Sequence, residues 1–283
     1  MRSASSCGTK PASGCGAVCG ASGRQSSRVS PALSRLPEYG PTMVPLVVRA
    51  ELAGGVAVAG PWAPALDGIL AAEVWADRKA LAIAEGRYTV RALQQPYPPD
   101  MELPLARCPL ASGEQWHWLA TCGMPVQSAG PTQVHSWSGR VDARDLEQTS
   151  AVLPKVISSR QGRFQSRRMP LLVTICQSMV WRAVGDLDSI AELLAGIESV
   201  GKKRSSGNGR VLRWSVHPDP LVTHLEAGHL HPDGSLGRPT PQVCLDGLHV
   251  GTTGGYGTAG VRPPYMHRSR QQALHLPALL DAP

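Results

Sequence analysis

The chain has 283 residues, a net charge of +7, 42% hydrophobic residues, 30 glycines and 25 prolines. That is enough apolar material for a core within one large or two small domains, with much irregular structure around it. No apolar run of about 18 residues and no apolar leader region occur, which excludes a transmembrane helix or secretory signal from the expectation; seven cysteines without a C-x-x-C pair offer neither a zinc site nor a disulfide framework and fit a reducing cytoplasm.

Residues 1–42 are rich in Ser, Gly and Pro and hold Cys7, Cys15 and Cys19 without metal-ligand spacing. Such a segment cannot bury enough surface to offset its ordering entropy, so it reads as a disordered extension, with Met43 an alternative start. Leu46–Leu52 reads as the first strand. Leu66, Ile69, Leu70 and Val74 then mark an amphipathic helix to about Arg78, with Asp67 as its N-terminal cap. Tyr88–Ala92 reads as a short strand. Gln115–Thr121 alternates, placing Trp116 and Trp118 on one core face and His117 on the other. Pro125–Pro154, with His135, Trp137 and Arg140, reads as an excursion from the core. Arg160, Arg163, Arg167 and Arg168 surround the only phenylalanine, Phe164, as a backbone clamp with a stacking residue would. Met169–Val184 reads as one long or two short strands.

The next stretch organises the rest. From Asp186, a plausible N-cap, Leu187, Ile190, Leu193, Leu194 and Ile197 follow helical spacing, and Gly201 is positioned to stop the helix. A loop follows with Lys202, Lys203, Arg204, Ser205, Ser206 and Arg210 set among Gly201, Gly207 and Gly209. Leu212, Trp214 and Val216 then alternate as a strand. Glycines let backbone amides approach a ligand closely, and clustered cations suit a polyphosphate. The order helix–loop–strand excludes a P-loop, and only two glycines match a dinucleotide-binding fingerprint. Between Lys155 and Arg213 eleven Lys or Arg face four acids, a net of +7, so the positive field is concentrated in this region. The last seventy residues are Pro/Gly-rich and read as irregular. His217, His224, His229 and His231 match no standard metal spacing. Tyr256, Arg262 and Tyr265 lie in a shaped surface segment around Pro263 and Pro264.

Strand, helix, strands with a basic excursion, then strand, helix, glycine loop and strand make a βαββαβ order, an α+β class of ferredoxin-like (RRM-like) topology. With the basic loop after its second helix, this resembles the RAMP proteins of CRISPR systems. It is similar above all to the type IV effector subunit of the Cas "five" family. The stretches carrying the resemblance are L-D-G-I-L-A at Leu66–Ala71, W-x-A-x-G-D at Trp181–Asp186, G-K-K-R-S-x-G-x-G at Gly201–Gly209 and V-R-P-P-Y at Val261–Tyr265. The resemblance implies a single RAMP domain over 43–283. Its first half would be 43–124, its basic insertion 125–168, its second half 169–216 and its irregular C-terminal region 217–283.

It also implies a non-catalytic RNA-binding subunit without cofactor or metal. The subunit would cap the 5′ handle of the crRNA, touch backbone (Cas "seven"-like) and large subunits, and meet target DNA only through the complex, with no membrane partner. Gly201, Lys202, Lys203, Arg204, Ser205, Ser206, Gly207, Gly209 and Arg210 of the loop would contact RNA, with the clamp of Arg160, Arg163, Phe164, Arg167 and Arg168, and Arg262 and Tyr265. Two other readings stay open. One is a metal-independent endoribonuclease processing pre-crRNA, for which His117 and His135 with Lys155 or Arg160 are the loose candidates. The other is an RNA-binding protein outside CRISPR biology.

Overall fold

Alternating burial from Met43 onward makes β1 (Met43–Leu52), with Leu46, Val48 and Ala50 turned inward. The computed structural model describes residues 42–88, 97–139, 143–148 and 165–280, all within the compact unit Leu36–Pro283. The expectations for residues 1–41, the Tyr88–Ala92 strand beyond Tyr88, and Lys155, Arg160, Arg163 and Phe164 lie outside the described residues.

After β1 come β2 (Val56–Val58), α1 (Leu66–Ala84), β3 (Met124–Ser128), β4 (Gln133–Gly139), α2 (Ala143–Gln148), β5 (Arg167–Thr174) and β6 (Cys176–Asp186). Then follow α3 (Leu187–Ala195), β7 (Val211–Pro218), α4 (His224–His229), α5 (Gln242–Leu245), β8 (Tyr256–Gly260) and β9 (Gln271–His275). The protein is α+β with antiparallel sheets. One sheet has the lateral order β3-β6-β1-β7, a second β2-β5-β4, and β8-β9 form a ribbon. Among the described residues no helix is long and apolar enough to cross a membrane.

β6 is central and buried along most of its length. Trp181 is fully buried there and donates its indole N–H to the Pro64 carbonyl at 2.9 Å. Leu66 and Leu70 of α1 and Ile190 and Leu194 of α3 pack into the same core as Trp118 and Ala183. The stretch before β3 runs on along β6: Thr121 N–H donates to the Arg182 carbonyl and Val184 N–H to the Leu119 carbonyl, both at 2.9 Å. Asp186 caps α3 as its sequence position predicts, accepting the Ser189 N–H at 2.9 Å. The Ser189 hydroxyl, and then this N–H, hold its carboxylate below the usual range.

Several expectations change. α1 runs six residues past Arg78. α3 ends at Ala195 with Gly196 in a right-handed conformation, so Gly201 does not stop it. The residues from Gln115 to Thr121 form isolated bridges and the end of one 3-10 turn rather than a strand, yet both Trp side chains pack on the core as expected, Trp116 only partly buried. Trp118 is buried and meets Trp116 edge-on at 5.3 Å. Within the anticipated excursion, β3 belongs to the main sheet, because its pairing with β6 completes that edge. The C-terminal region is not mainly irregular surface. Ala259, Val261 and Leu274 make a buried cluster, and Arg238 is fully buried, donating to the carbonyls of Trp118, Ala120 and Val261.

Candidate nucleic-acid interface

The loop between α3 and β7 is fastened at its base by main-chain bonds to two neighbours. Val200 N–H donates to the Gly209 carbonyl at 2.8 Å, closing the loop on itself. Lys202 N–H donates to the Ala57 carbonyl at 2.7 Å and Gly209 N–H to the Gly55 carbonyl at 2.9 Å, tying it to β2 and the turn before it. Gly209 has φ +67, and a Cβ there would overlap the Val200 carbonyl oxygen. Glycine is therefore required by both conformation and space.

Above this base, Arg204–Ser206 form one 3-10 turn flanked by left-handed Lys203 (φ 57) and Gly207 (φ 85). Ser206 N–H and Gly207 N–H return to the carbonyls of Lys203 and Arg204, both at 3.0 Å. Arg204, Ser205, Ser206, Gly207 and Arg210 are exposed; Lys202 and Lys203 are half-buried. A rigid base thus carries a cationic tip. The left-handed conformation of Lys203, unusual for a residue with a Cβ, places its ammonium 3.1 Å from the centre of the Trp137 ring on β4. That is a cation–π contact.

This contact joins the two basic stretches that the sequence keeps apart. Trp137 pairs with Met169 of β5, and Arg167, two residues before Met169, pairs with Gly139. Alternation puts Arg167 on the Trp137 face and Arg168 on the other. Two other members of the basic region are paired with acids: the half-buried Arg182 with Asp219 at 3.2 Å and the exposed Arg213 with Glu51 at 2.6 Å. The positive charge of the described residues therefore gathers at the loop tip, beside the end of β5 that carries Arg167 and Arg168.

Arg262 and Tyr265 are placed differently from the surface segment expected of them. Arg262 is buried, shares Asp100 with Arg270, donates to the carbonyls of Glu114 and Trp116 at 2.8 and 3.1 Å, and stacks over Trp116 at 4.3 Å. Burial and the Arg270 charge lower its pKa, with Asp100 opposing. Tyr265 donates its hydroxyl to Asp67 Oδ1 at 2.6 Å. Asp67 itself is not a cap: it is fully buried in the first turn of α1, where Ala65 holds the cap position without a side-chain bond. Its Oδ1 also accepts the Gly68 N–H at 2.8 Å, and its Oδ2 has no hydrogen-bond partner. Burial pushes its pKa up, against the pull of the Arg238 charge and the Tyr265 bond.

The nuclease candidates do not form a shared exposed site among the described residues. His117 is fully buried, whereas His135 is exposed on β4 and hydrogen-bonded to Gln133. His117 instead faces His229, with Cys108 and Cys244 beside them, a group that could hold a metal. Sequence reasoning missed this group because its members come from distant segments, and it missed the partnership of Trp137 with Lys203 for the same reason. No family model matches the chain, and no curated protein is found to be similar to it.

Proposed function

We propose that the chain is a non-catalytic RNA-binding subunit built on a ferredoxin-like, RAMP-type domain. It would cap the 5′ handle of the guide RNA in a type IV CRISPR ribonucleoprotein, against backbone and large subunits. The observation that carries the reading is the loop itself: a main-chain-anchored base with consecutive Lys202, Lys203 and Arg204 at a glycine-flanked tip, joined through Trp137 to the basic end of β5. Clustered cations on an exposed tip suit phosphates without reading bases, as a protein does when base pairing carries the sequence information. The connection β1-α1-β3-β6-α3-β7 with lateral order β3-β6-β1-β7 supports the ferredoxin-like assignment. The burial of His117 favours binding over cleavage, since a general base must reach the 2′-hydroxyl.

The test is incubation of the full chain with labelled repeat-derived RNA without added divalent cation, scoring binding and cutting together over a salt series. Binding without cutting is expected. Replacing Lys202, Lys203 and Arg204 by Ala should weaken binding and flatten log K against log salt by about 2, at roughly 0.7 per phosphate contact on a single strand. An unchanged slope would remove the loop from the interface, and site-specific cutting would make the protein a processing nuclease.

A further inference from the structure

Cys108, His117, His229 and Cys244 converge from three separate places in the fold. Cys108 lies one residue past the Arg107–Trp118 bridge, and its N–H donates to the His117 carbonyl at 2.9 Å. These two bonds clip together the strand-like limbs that carry Cys108 and His117. His229 is the last residue of α4, and Cys244 lies in α5. All four side chains are buried, and their ligand atoms lie within 4.8 Å of one another. We propose that these four residues hold a structural Zn²⁺ ion through two thiolates and two imidazole Nε2 atoms.

The hydrogen bonds around the rings carry the argument. His117 Nδ1 lies 3.0 Å from the Gln115 carbonyl and His229 Nδ1 lies 2.8 Å from the Leu225 carbonyl. A carbonyl only accepts, so each Nδ1 carries its ring's proton and each neutral Nε2 presents a lone pair. Those two Nε2 atoms face each other at 3.0 Å in a fully buried place. Two lone pairs at that distance repel unless a proton or a metal ion neutralises them, and a shared proton would leave an imidazolium charge in the core that a Zn²⁺ held by two thiolates does not. A carbonyl on the far nitrogen is also the arrangement that orients metal-bound histidines.

Distances and charge agree. The two Sγ atoms are 3.6 Å apart. Zinc with bonds of about 2.3 Å to sulfur and about 2.05 Å to nitrogen sets tetrahedral edges of about 3.8 Å for S–S and about 3.3 Å for N–N. A sulfur separation of 3.6 Å is also too long for a disulfide, whose bond is about 2.05 Å. Two thiolates and two neutral imidazoles cancel the dication, so the closed site needs no further counter-ion in the core. Binding breaks two S–H bonds and forms two Zn–S bonds, releasing two protons to solvent. Two sulfurs and two nitrogens around one point select zinc over the hard, oxygen-seeking cations. With all four positions filled by buried side chains, the ion is a fastener rather than a catalyst. It joins the segment before β3, which lies along β6, to α4 and α5 of the C-terminal region.

The test begins with the full chain purified without chelator, with metal content measured by mass spectrometry. About one zinc per chain is expected. Replacing Cys7, Cys15 and Cys19 together by Ser should leave that zinc in place, whereas Cys244→Ser or Cys108→Ser should lose it. Because those last variants could fail to fold, the unaltered chain is also exchanged into Co²⁺. Intense visible bands of tetrahedral cobalt with thiolate-to-metal charge transfer are expected. Substoichiometric zinc in the folded chain, cobalt bands without thiolate character, zinc retained in both cysteine variants, or a Cys108–Cys244 disulfide found by peptide mapping would each overturn the proposal.

Discussion

Asp67 shows how far one carboxylate can depart from the role its position suggests. An acid in a first helical turn ordinarily serves as a cap or complements the helix dipole; here it receives the Tyr265 hydroxyl from a segment almost two hundred residues away. Removing that hydroxyl in Tyr265→Phe should cost about 1–2 kcal/mol in chemical denaturation, the range for a buried bond to a carboxyl group. Asp67→Ala combined with Tyr265→Phe should cost less than the sum of the two, because they share one interaction. The pH dependence has a definite sign. The folded pKa of Asp67 lies above the ordinary 3.8, so between those values the native chain holds a proton that the unfolded chain has released. Stability contributed by this residue therefore falls as pH rises through that window and is level above it. Asp67→Asn should remove this downward contribution, so that stability rises more steeply with pH across that range than in the unaltered chain, as denaturation curves would show. Sequence inspection found Asp186 correctly because its partner, Ser189, is three residues on; Asp67 escaped it because its partner is not local.

At the scale of elements, local pattern foretold β1, α3 and β7, whose alternation or helical spacing is strong. β2 went unseen, since three residues inside a glycine- and proline-rich connection carry no period. That short strand nevertheless decides how the loop is held, as it and the turn before it supply the carbonyls that fasten its base. The two loop glycines should accordingly respond differently to alanine. At Gly209 a Cβ meets the Val200 main chain as well as a positive φ, whereas at Gly207 (φ +85) there is open space. Gly207→Ala should cost about 1–2 kcal/mol from the left-handed conformation alone. Gly209→Ala should cost more and detach the loop from β2. Thermal melts would rank the two, and only the Gly209 variant should lose the salt-dependent part of RNA binding.

For the whole molecule, composition foretold a core and the order of predicted elements its α+β class, with charge counts locating the positive field, but the glycine and proline content misled about the C-terminal third. Glycine and proline content there reflects sharp turns around a buried centre. Arg238 reaches into the body of the domain to serve three carbonyls, and Gly228 packs against Leu119 where a side chain would not fit. A chain ended after Pro218 should therefore lose its cooperative unfolding transition and aggregate, because the Leu119–Cys122 stretch would be uncovered. Far-ultraviolet circular dichroism during denaturation would show this; a retained sharp transition would mean that the C-terminal region is dispensable. The Cys/His cluster belongs to this scale too. Its ligands bracket most of the fold, so no spacing rule applied to a single stretch could have found them.

The seat of the Lys203 ammonium on the Trp137 ring has an optical consequence. An indole face occupied by a cation emits differently from one covered by a nucleobase, and nucleobases quench indole emission on stacking. If RNA displaces Lys203 from Trp137, the chain carries its own fluorophore at the point of contact. A titration followed by tryptophan emission would then report occupancy of the loop without any label, and Trp137→Phe would silence the signal.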